Sequence, residues 1–144
     1  MRLVDVYLVE NADILLYELL AERPHEHWIS HERMPTFREH QAFIASHPFR
    51  YWLLVMSDMT YVGAIEVTDR NEVGIAILKR YQKRGLGSEA LHKFIEDYQP
   101  LPAIPALRNG RWLANIAVGN ESSEIFFRKM GFITIQKTMV LRHD

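Results

Sequence analysis

The sequence predicts an α/β protein with a mixed, mostly antiparallel central sheet flanked by helices. Between residues 51 and 78, three apolar and partly β-branched runs are separated only by short polar turns, which indicates strands linked by hairpins. On both sides of this block, apolar residues recur at helical spacing. The predicted order is one strand, two helices, three strands, one helix, one strand, one helix and a last strand, which is not the regular alternation of a parallel sheet.

Composition narrows the classes of function. The 144 residues suffice for a single domain, 1–144, with a substantial core. The net charge of −1 gives no broad field for nucleic acid or an anionic membrane, and no apolar stretch approaches the length of a membrane span. The absence of cysteine excludes disulfides, thiolate catalysis and cysteine zinc sites, and it fits a reducing compartment. We therefore expect a cytoplasmic protein, and a homodimer is compatible with these residues.

The amino-terminal part predicts a strand followed by a helix. Residues 3–9 alternate roughly between apolar and other side chains and include a single acid, as in a strand. Asn11 or Asp13 is placed to cap a helix that continues to about Glu22. Pro24 then stops this helix, because proline cannot continue the hydrogen-bond pattern.

A polar, histidine-rich segment, residues 25–35, separates this helix from the next one. His27 and His31 are four residues apart, as in helical metal pairs, but neither a flanking acidic pattern nor a cysteine supports a metal site. We therefore expect no metal. The residues from Thr36 to Glu39 have the pattern of a capping box, which predicts a second helix through about Ser46.

The middle of the chain predicts three strands in succession. Residues 51–56 and 60–67 form two apolar runs around the turn 57–59, and a second turn at 69–71 leads to a third run, 72–78. A helix of about residues 88–98 follows. Strands joined by such short turns pair antiparallel.

The last third of the chain predicts two more strands around a helix. Three prolines and an Asn-Gly turn make residues 99–110 a surface loop. Residues 112–118 have the composition of a buried strand, and a short helix of about 122–130 follows. Gly131 ends this helix in the usual way, and residues 132–141 predict a final strand.

The stretch Gln82-Lys83-Arg84-Gly85-Leu86-Gly87 joins the third central strand to the helix after it. The first turn of a helix has unpaired N–H groups, and the positive end of the helix dipole adds to their attraction for an anion. Glycine lets the backbone approach a phosphate closely, and Lys83 and Arg84 add positive charge. The spacing is neither that of a P-loop nor that of a dinucleotide fingerprint. A tight structural turn with two solvated cations is the alternative.

The pattern Gln-x-x-Gly-x-Gly after a strand resembles the coenzyme A pyrophosphate loop of the GNAT N-acyltransferases. Residues 113–132 resemble the strand–Asn–helix–Gly–Phe segment of the same family, and the predicted order of elements is that of the GNAT fold. The resemblance implies an acetyl-CoA-dependent N-acetyltransferase that transfers the acetyl group directly to a primary amine of a small molecule. An amino sugar, an amino acid and a polyamine are all open as acceptors. The alternatives are a non-catalytic acyl-CoA-binding domain on the same fold and a protein N-acetyltransferase.

The resemblance also implies the residues that contact the cofactor. The backbone of the strand before the glycine loop would pair with the pantetheine arm, and an N–H near Leu78 would polarise the thioester carbonyl. The loop amides would hold the pyrophosphate. The implied cofactor-binding set is Ile77, Leu78, Gln82, Lys83, Arg84, Gly85, Leu86, Gly87, Ser88, Asn115, Asn120, Ser123 and Phe127.

Acyl transfer to an amine also needs a base that takes a proton from the amine. Glu72 is the first candidate, because an acid on this strand has that role in some family members, and Glu66 on the neighbouring strand is the second. The family often has a tyrosine four residues before the Gly-Phe pair as an acid for the leaving thiolate. Here that position is Phe127, which cannot donate a proton. On the acceptor side, the candidates are Trp28 and His31.

Overall fold

A computed structural model describes residues 1–24 and 33–143 of the chain. Short 3₁₀ turns at Val6–Leu8 and Lys79–Tyr81 supplement its regular elements. In chain order, the strands and helices are β1 (Arg2–Asp5), α1 (Ala12–Glu22), α2 (Phe37–Ala45), β2 (Tyr51–Ser57), β3 (Thr60–Val67), β4 (Val73–Ile77), α3 (Leu86–Asp97) and α4 (Glu121–Lys129). The predicted α/β class is confirmed. None of the helices in the described ranges is long and apolar enough to cross a membrane.

The four strands form one sheet in the order β1-β2-β3-β4, with antiparallel pairing throughout. The two predicted hairpins between residues 51 and 78 are confirmed. Next to β4, a parallel bridge joins Glu72 to Leu113, and the Val73 N–H donates to the Leu113 carbonyl at 2.8 Å. Within 1–24 and 33–143, no further bridge connects β4 to that segment. The outer edge of β4 is therefore joined at its beginning and open farther along.

Alternation along the strands divides the core into two layers. One face of the sheet packs against α1 and α2, and the buried residues of this layer include Leu16, Leu19, Ile44, Trp52, Leu54 and Ala64. The other face packs against α3 and α4, and its buried residues include Val55, Ile65, Val67, Leu91, Phe94 and Phe127. Because residues two apart in a strand share a face, Glu66 lies on the same face as Ala64.

The predicted capping box at the start of α2 is confirmed. The Thr36 hydroxyl accepts the Glu39 N–H at 3.1 Å, and the Glu39 carboxylate accepts the Thr36 N–H at 3.0 Å. The Arg33 guanidinium donates two bonds to the same carboxylate, and with those from Thr36 they lower the pKa of Glu39 to about 2. These bonds join Arg33, Thr36 and Glu39 at the start of α2.

The first strand is shorter than predicted. β1 ends at Asp5, because the Asp5 carboxylate accepts the Tyr7 N–H at 2.9 Å and begins the turn Val6–Leu8. The predicted helix after it is confirmed as α1, although the side chain of Asn11 makes no capping bond.

The predictions of strands at 112–118 and 132–141 are wrong. Only Leu113 makes a bridge, and the rest of both segments has no strand pairing. Trp112, Ala114 and Ile116 nevertheless pack against the α3/α4 layer, as their apolar character favours. A ladder also requires a partner edge distant in sequence, and local alternation does not specify that edge.

Asn71 connects the proline-containing loop, residues 99–110, to the beginning of β4 through side-chain hydrogen bonds. Its side chain is fully buried, and Nδ2 donates to the carbonyls of Leu101 and Asn109 at 2.9 and 2.7 Å. Oδ1 accepts the Leu101 N–H at 2.8 Å. The residue has a φ of 65°, in the left-handed region that asparagine tolerates.

We expect the change Asn71→Gly to lower the free energy of unfolding by about 2 kcal/mol, because it removes these bonds and leaves buried backbone groups unpaired. Glycine keeps the left-handed conformation available. Asn11→Gly is a matched control, since Asn11 has a φ of 61°, is exposed and makes no side-chain capping bond. Urea denaturation measures both changes. Equal effects would contradict the role of Asn71.

Candidate active site

A long crevice of about 1370 Å³ crosses the α1/α2 face of the sheet and the open edge of β4. Its lining comes from β4 and the α4 region on one side, from β3 in the middle, and from α2 and β2 on the other side. The lining includes Asn115, Asn120, Phe127, Glu66, Gly74, His40, Phe43 and Trp52. The crevice therefore connects the region beside the glycine loop with the region beside the helices.

The open edge of β4 presents backbone groups of Ile75 and Ile77 to the crevice. The Leu78 N–H donates to the Val62 carbonyl of β3 at 2.9 Å, and alternate residues of an antiparallel strand direct their backbone groups to opposite sides. Ile75 and Ile77 thus point theirs away from β3. The Gln82 side chain donates to the Ile77 carbonyl at 2.7 Å, which connects the glycine loop to this edge.

The register turns Leu78 toward β3. Its N–H is bonded to Val62, its carbonyl accepts the Tyr81 N–H at 2.9 Å, and its side chain is fully buried. The sequence alone does not show which residues of a strand face the neighbouring strand. In this register, Ile75 and Ile77 have the outward orientation, and Ile77 is one of the two strand residues that the resemblance implied.

Backbone amides from Lys83 to Ser88 have no hydrogen-bond acceptor among the residues described. Helix α3 begins at Leu86, two residues earlier than predicted, so the last three of these amides belong to its first turn. Lys83 and Gly85 have φ values of 63° and 75°, in the left-handed region. Successive amides in such a turn form a concave site for an anion.

A cavity of about 230 Å³ lies directly against these amides. Its walls also include side chains from the end of β4 and from α4, and the residues lining it are Ile77, Tyr81, Gln82, Lys83, Gly85, Leu86, Gly87, Ser88 and Phe126. Lys83 and Arg84 are exposed, and the Arg84 guanidinium lies over the Tyr81 ring at 5.8 Å. The cavity therefore combines unpaired amides with positive charge.

The α4 region contributes polar groups to the crevice. Asn120 caps α4, since its Oδ1 accepts the Ser123 N–H at 3.3 Å, and Asn120 and Ser123 both line the crevice. Because Oδ1 of Asn120 accepts this helix N–H, Nδ2 is the group of the side chain that could bind a ligand. Phe127 also lines the crevice, but it is 6% exposed and belongs to the core.

Both oxygens of the Glu72 carboxylate are bonded to neighbouring side chains. Oε1 accepts the Thr68 hydroxyl at 2.8 Å, and Oε2 accepts Nδ2 of Asn115 in a short hydrogen bond. Asn115 is exposed rather than buried in a strand, and Glu72 is its partner. This arrangement gives Glu72 a structural role in joining the beginning of β4 to the segment after the loop.

Glu66 lies in the centre of the crevice and makes no hydrogen bond with a described residue. It is opposite Gly74 in the β3–β4 register and opposite Trp52 in the β2–β3 register. A Cβ on Gly74 would come within 3.1 Å of Cγ and Oε1 of Glu66. The Glu66 side chain therefore occupies space that a side chain at position 74 would take. Burial raises the pKa of Glu66, and the charge of Arg23 partly opposes this.

Trp28 and His31, the predicted acceptor-side residues, lie outside the described residues. Across 1–24 and 33–143, no three histidine or carboxylate side chains come together as metal ligands would. Sequence reasoning missed His40, Phe43 and Gly74 as parts of the crevice. Only the β3–β4 register, which places Gly74 opposite Glu66, would have drawn attention to that glycine.

Comparisons with known proteins concern the family and the fold of this chain. Residues 7–133 match the family model described as an acetyltransferase (GNAT) domain. An acetyltransferase from Thermus thermophilus is 19% identical with a TM-score of 0.68, and the match covers 94% of this chain and 88% of that one. An apo aminoglycoside 6'-N-acetyltransferase from Acinetobacter haemolyticus is 16% identical with a TM-score of 0.63, covering 100% and 99% of the two chains.

A third solved structure, of a protein from Salmonella typhimurium with its cofactor acetyl-CoA, is 17% identical. Its TM-score is 0.59, and the match covers 91% of this chain and 77% of that chain. At these identities, the likeness to the three structures concerns the fold. The search of curated proteins finds no match.

Proposed function

The chain belongs to the GNAT acetyltransferase family, and we propose that it transfers the acetyl group of acetyl-CoA directly to a primary amine of a small molecule. Acetyl-CoA is the donor in this family and supplies an activated thioester. The observation that carries the proposal is the run of unpaired amides from Lys83 to Ser88, beside the open edge of β4. Direct transfer agrees with the absence of cysteine, which excludes a cysteine acyl-enzyme.

The residues present fit the two polar parts of the cofactor. The loop amides and the cavity against them suit a diphosphate, because they offer several N–H donors and positive charge without a carboxylate in the lining. The outward N–H and carbonyl of Ile75 and the outward N–H of Ile77 suit the amides of the pantetheine arm, since a strand edge pairs with any extended amide chain. Nδ2 of Asn120 offers one further donor on the opposite wall.

Glu66 is the group best placed to take the proton from the acceptor amine. It lies between the β4 edge and the aromatic part of the crevice, and its oxygens are not engaged by described donors. Its raised pKa makes it a stronger base than an ordinary glutamate. Glu72 remains the second candidate, with both oxygens engaged by Thr68 and Asn115. We therefore rank Glu66 first.

The proposal extends to the domain organisation and the cellular location of the chain. The two core layers share one sheet, which supports a single catalytic domain over residues 1–144. A chain without cysteine suits the reducing conditions of the cytoplasm, and we propose that location. The alternative acceptor is an amine of a protein.

Thiol release from acetyl-CoA tests the proposal. We expect release with at least one member of a panel of glucosamine, amino acids, spermidine and phenylalkylamines, and a raised melting temperature in coenzyme A alone. A raised melting temperature without release from any amine would favour a non-catalytic acyl-CoA-binding domain, which Phe127 at the usual tyrosine position makes a defined alternative. Release only with peptides would favour a protein acceptor.

A further inference from the structure

The end of the crevice beside α2 is lined by four rings that touch one another. His40, Phe43, Phe49 and Trp52 all line the crevice. The Phe49 and Trp52 rings meet edge to face at 4.8 Å between centroids, and Phe43 contacts both at about 6 Å. The His40 ring lies 6.4 Å from Trp52 and 6.3 Å from Phe43. We call these four residues the aromatic cluster.

One polar atom in the aromatic cluster has no partner. His40 is 5% exposed, and its Nε2 is buried without a hydrogen bond to any described residue. Burial lowers the pKa of His40, and the charge of Asp13 partly opposes this, so burial favours the neutral ring. Buried polar atoms are bonded in most native proteins, and an orphaned one on a crevice wall indicates a missing partner.

The register of the sheet connects the aromatic cluster to Glu66. Trp52 and Glu66 are direct cross-strand partners on the same face, and such side chains start roughly 5 Å apart. Trp52 in turn contacts His40. A molecule with its amine at Glu66 and its body over Trp52 would thus reach His40 within roughly 10 Å.

We propose that the aromatic cluster is the acceptor subsite, and that it takes a primary amine on a flat apolar body whose hydroxyl bonds to Nε2 of His40. This proposal rests on the proposed function and names its substrate class. A hydroxyl both donates and accepts, so it suits Nε2 in either neutral tautomer. Aromatic rings bind a flat apolar body over its face or edge.

Charge argues against a polyamine at the same place. Three carboxylates line the crevice, those of Glu22, Glu39 and Glu66. Glu22 accepts the Lys79 N–H at 2.8 Å, and Glu39 is bonded twice to Arg33 and also caps α2. Glu66 is then the one described carboxylate of the lining that accepts no hydrogen bond from a described donor, whereas a polyamine needs a partner for each of its charges.

Tyramine and 2-phenylethylamine test the proposal, because they differ by one hydroxyl at the far end of a flat body. We expect a kcat/KM at least tenfold higher for tyramine, with the difference mainly in KM. In His40→Phe, which keeps a ring of similar size, the ratio should fall to about one. His92→Phe, an exposed histidine on α3, is the matched control and should keep the wild-type ratio. A higher kcat/KM for glucosamine or spermidine than for tyramine would overturn the proposal.

A binding measurement separates this proposal from the proposed function. The Nε2 resonance of His40 in ¹⁵N-labelled wild-type protein should shift when tyramine is added in the presence of coenzyme A, and 2-phenylethylamine should not shift it. That shift without any acetyl transfer would support the subsite and contradict the transferase. Transfer to amines with no shift and no tyramine preference would overturn the subsite alone. The wild-type measurement also decides the matter if His40→Phe does not fold.

Discussion

Replacing Gly87 with glutamate is expected to lower the affinity for coenzyme A by about a thousandfold while the protein stays folded. Gly87 lies in the first turn of α3, within the cavity against the unpaired amides. A carboxylate there would accept the amides itself and repel a diphosphate, and the loss of several charge-assisted hydrogen bonds is worth about this factor. Isothermal titration calorimetry with coenzyme A measures the affinity.

Gly87→Ala is the matched control for this change. A Cβ at Gly87 would lie 3.5 Å from the Phe126 ring, an ordinary contact, so alanine adds no charge and little strain. We expect it to bind coenzyme A within about fivefold of the wild type. Gly85 is less suitable, because its φ of 75° would strain any side chain. A Gly87→Glu protein that binds coenzyme A as the wild type does would remove the loop from the proposed site.

Glu66→Gln is expected to lower kcat by a factor of roughly 10²–10⁴, the usual contribution of a general base. Glutamine has the same shape, so the crevice and the contact with Gly74 should be retained. In the wild type, kcat/KM should fall as the pH drops through the pKa of Glu66, at a midpoint above the ordinary value of 4.5. The variant should lack that fall. Steady-state rates between pH 5 and 9 measure both effects.

Two controls separate catalysis by Glu66 from structural effects. Because the folded-state pKa is raised, charge on Glu66 costs stability as the pH rises through that pKa. Glu66→Gln should therefore unfold at a higher temperature than the wild type at pH 8. Glu72→Gln should instead lower the melting temperature, through its contact with Asn115, and lower kcat less than tenfold. If Glu72→Gln lowered kcat more than Glu66→Gln did, Glu72 rather than Glu66 would be the base.

The sequence was most informative where local chemistry determines structure. The capping box at Thr36, the hairpins between 51 and 78 and the helix stop at Gly131 are all confirmed, because each depends on residues a few positions apart. At Gly131, bonds from the Gly131 and Phe132 N–H groups to the carbonyls of Arg128 and Phe127 close the helix end.

Features that depend on distant partners were less predictable. The apolar composition of residues 112–118 predicted a buried strand but not the absence of a ladder, because a ladder needs a second edge. The register decided that Leu78 faces β3 and that Glu66 faces Gly74. His40 was not singled out from the sequence, and the fold buries it beside Trp52.

The open edge of β4 is held at one end by the hydrogen bonds of the chain itself. These are the bonds of Val73 to Leu113 and of Asn71 to the proline-containing loop, and no further bridge joins β4 to that segment within the described residues. Binding therefore does not have to separate paired strands, and little conformational entropy is lost from the protein when the site is filled. Association should then be governed by diffusional encounter and orientation rather than by a slow opening step.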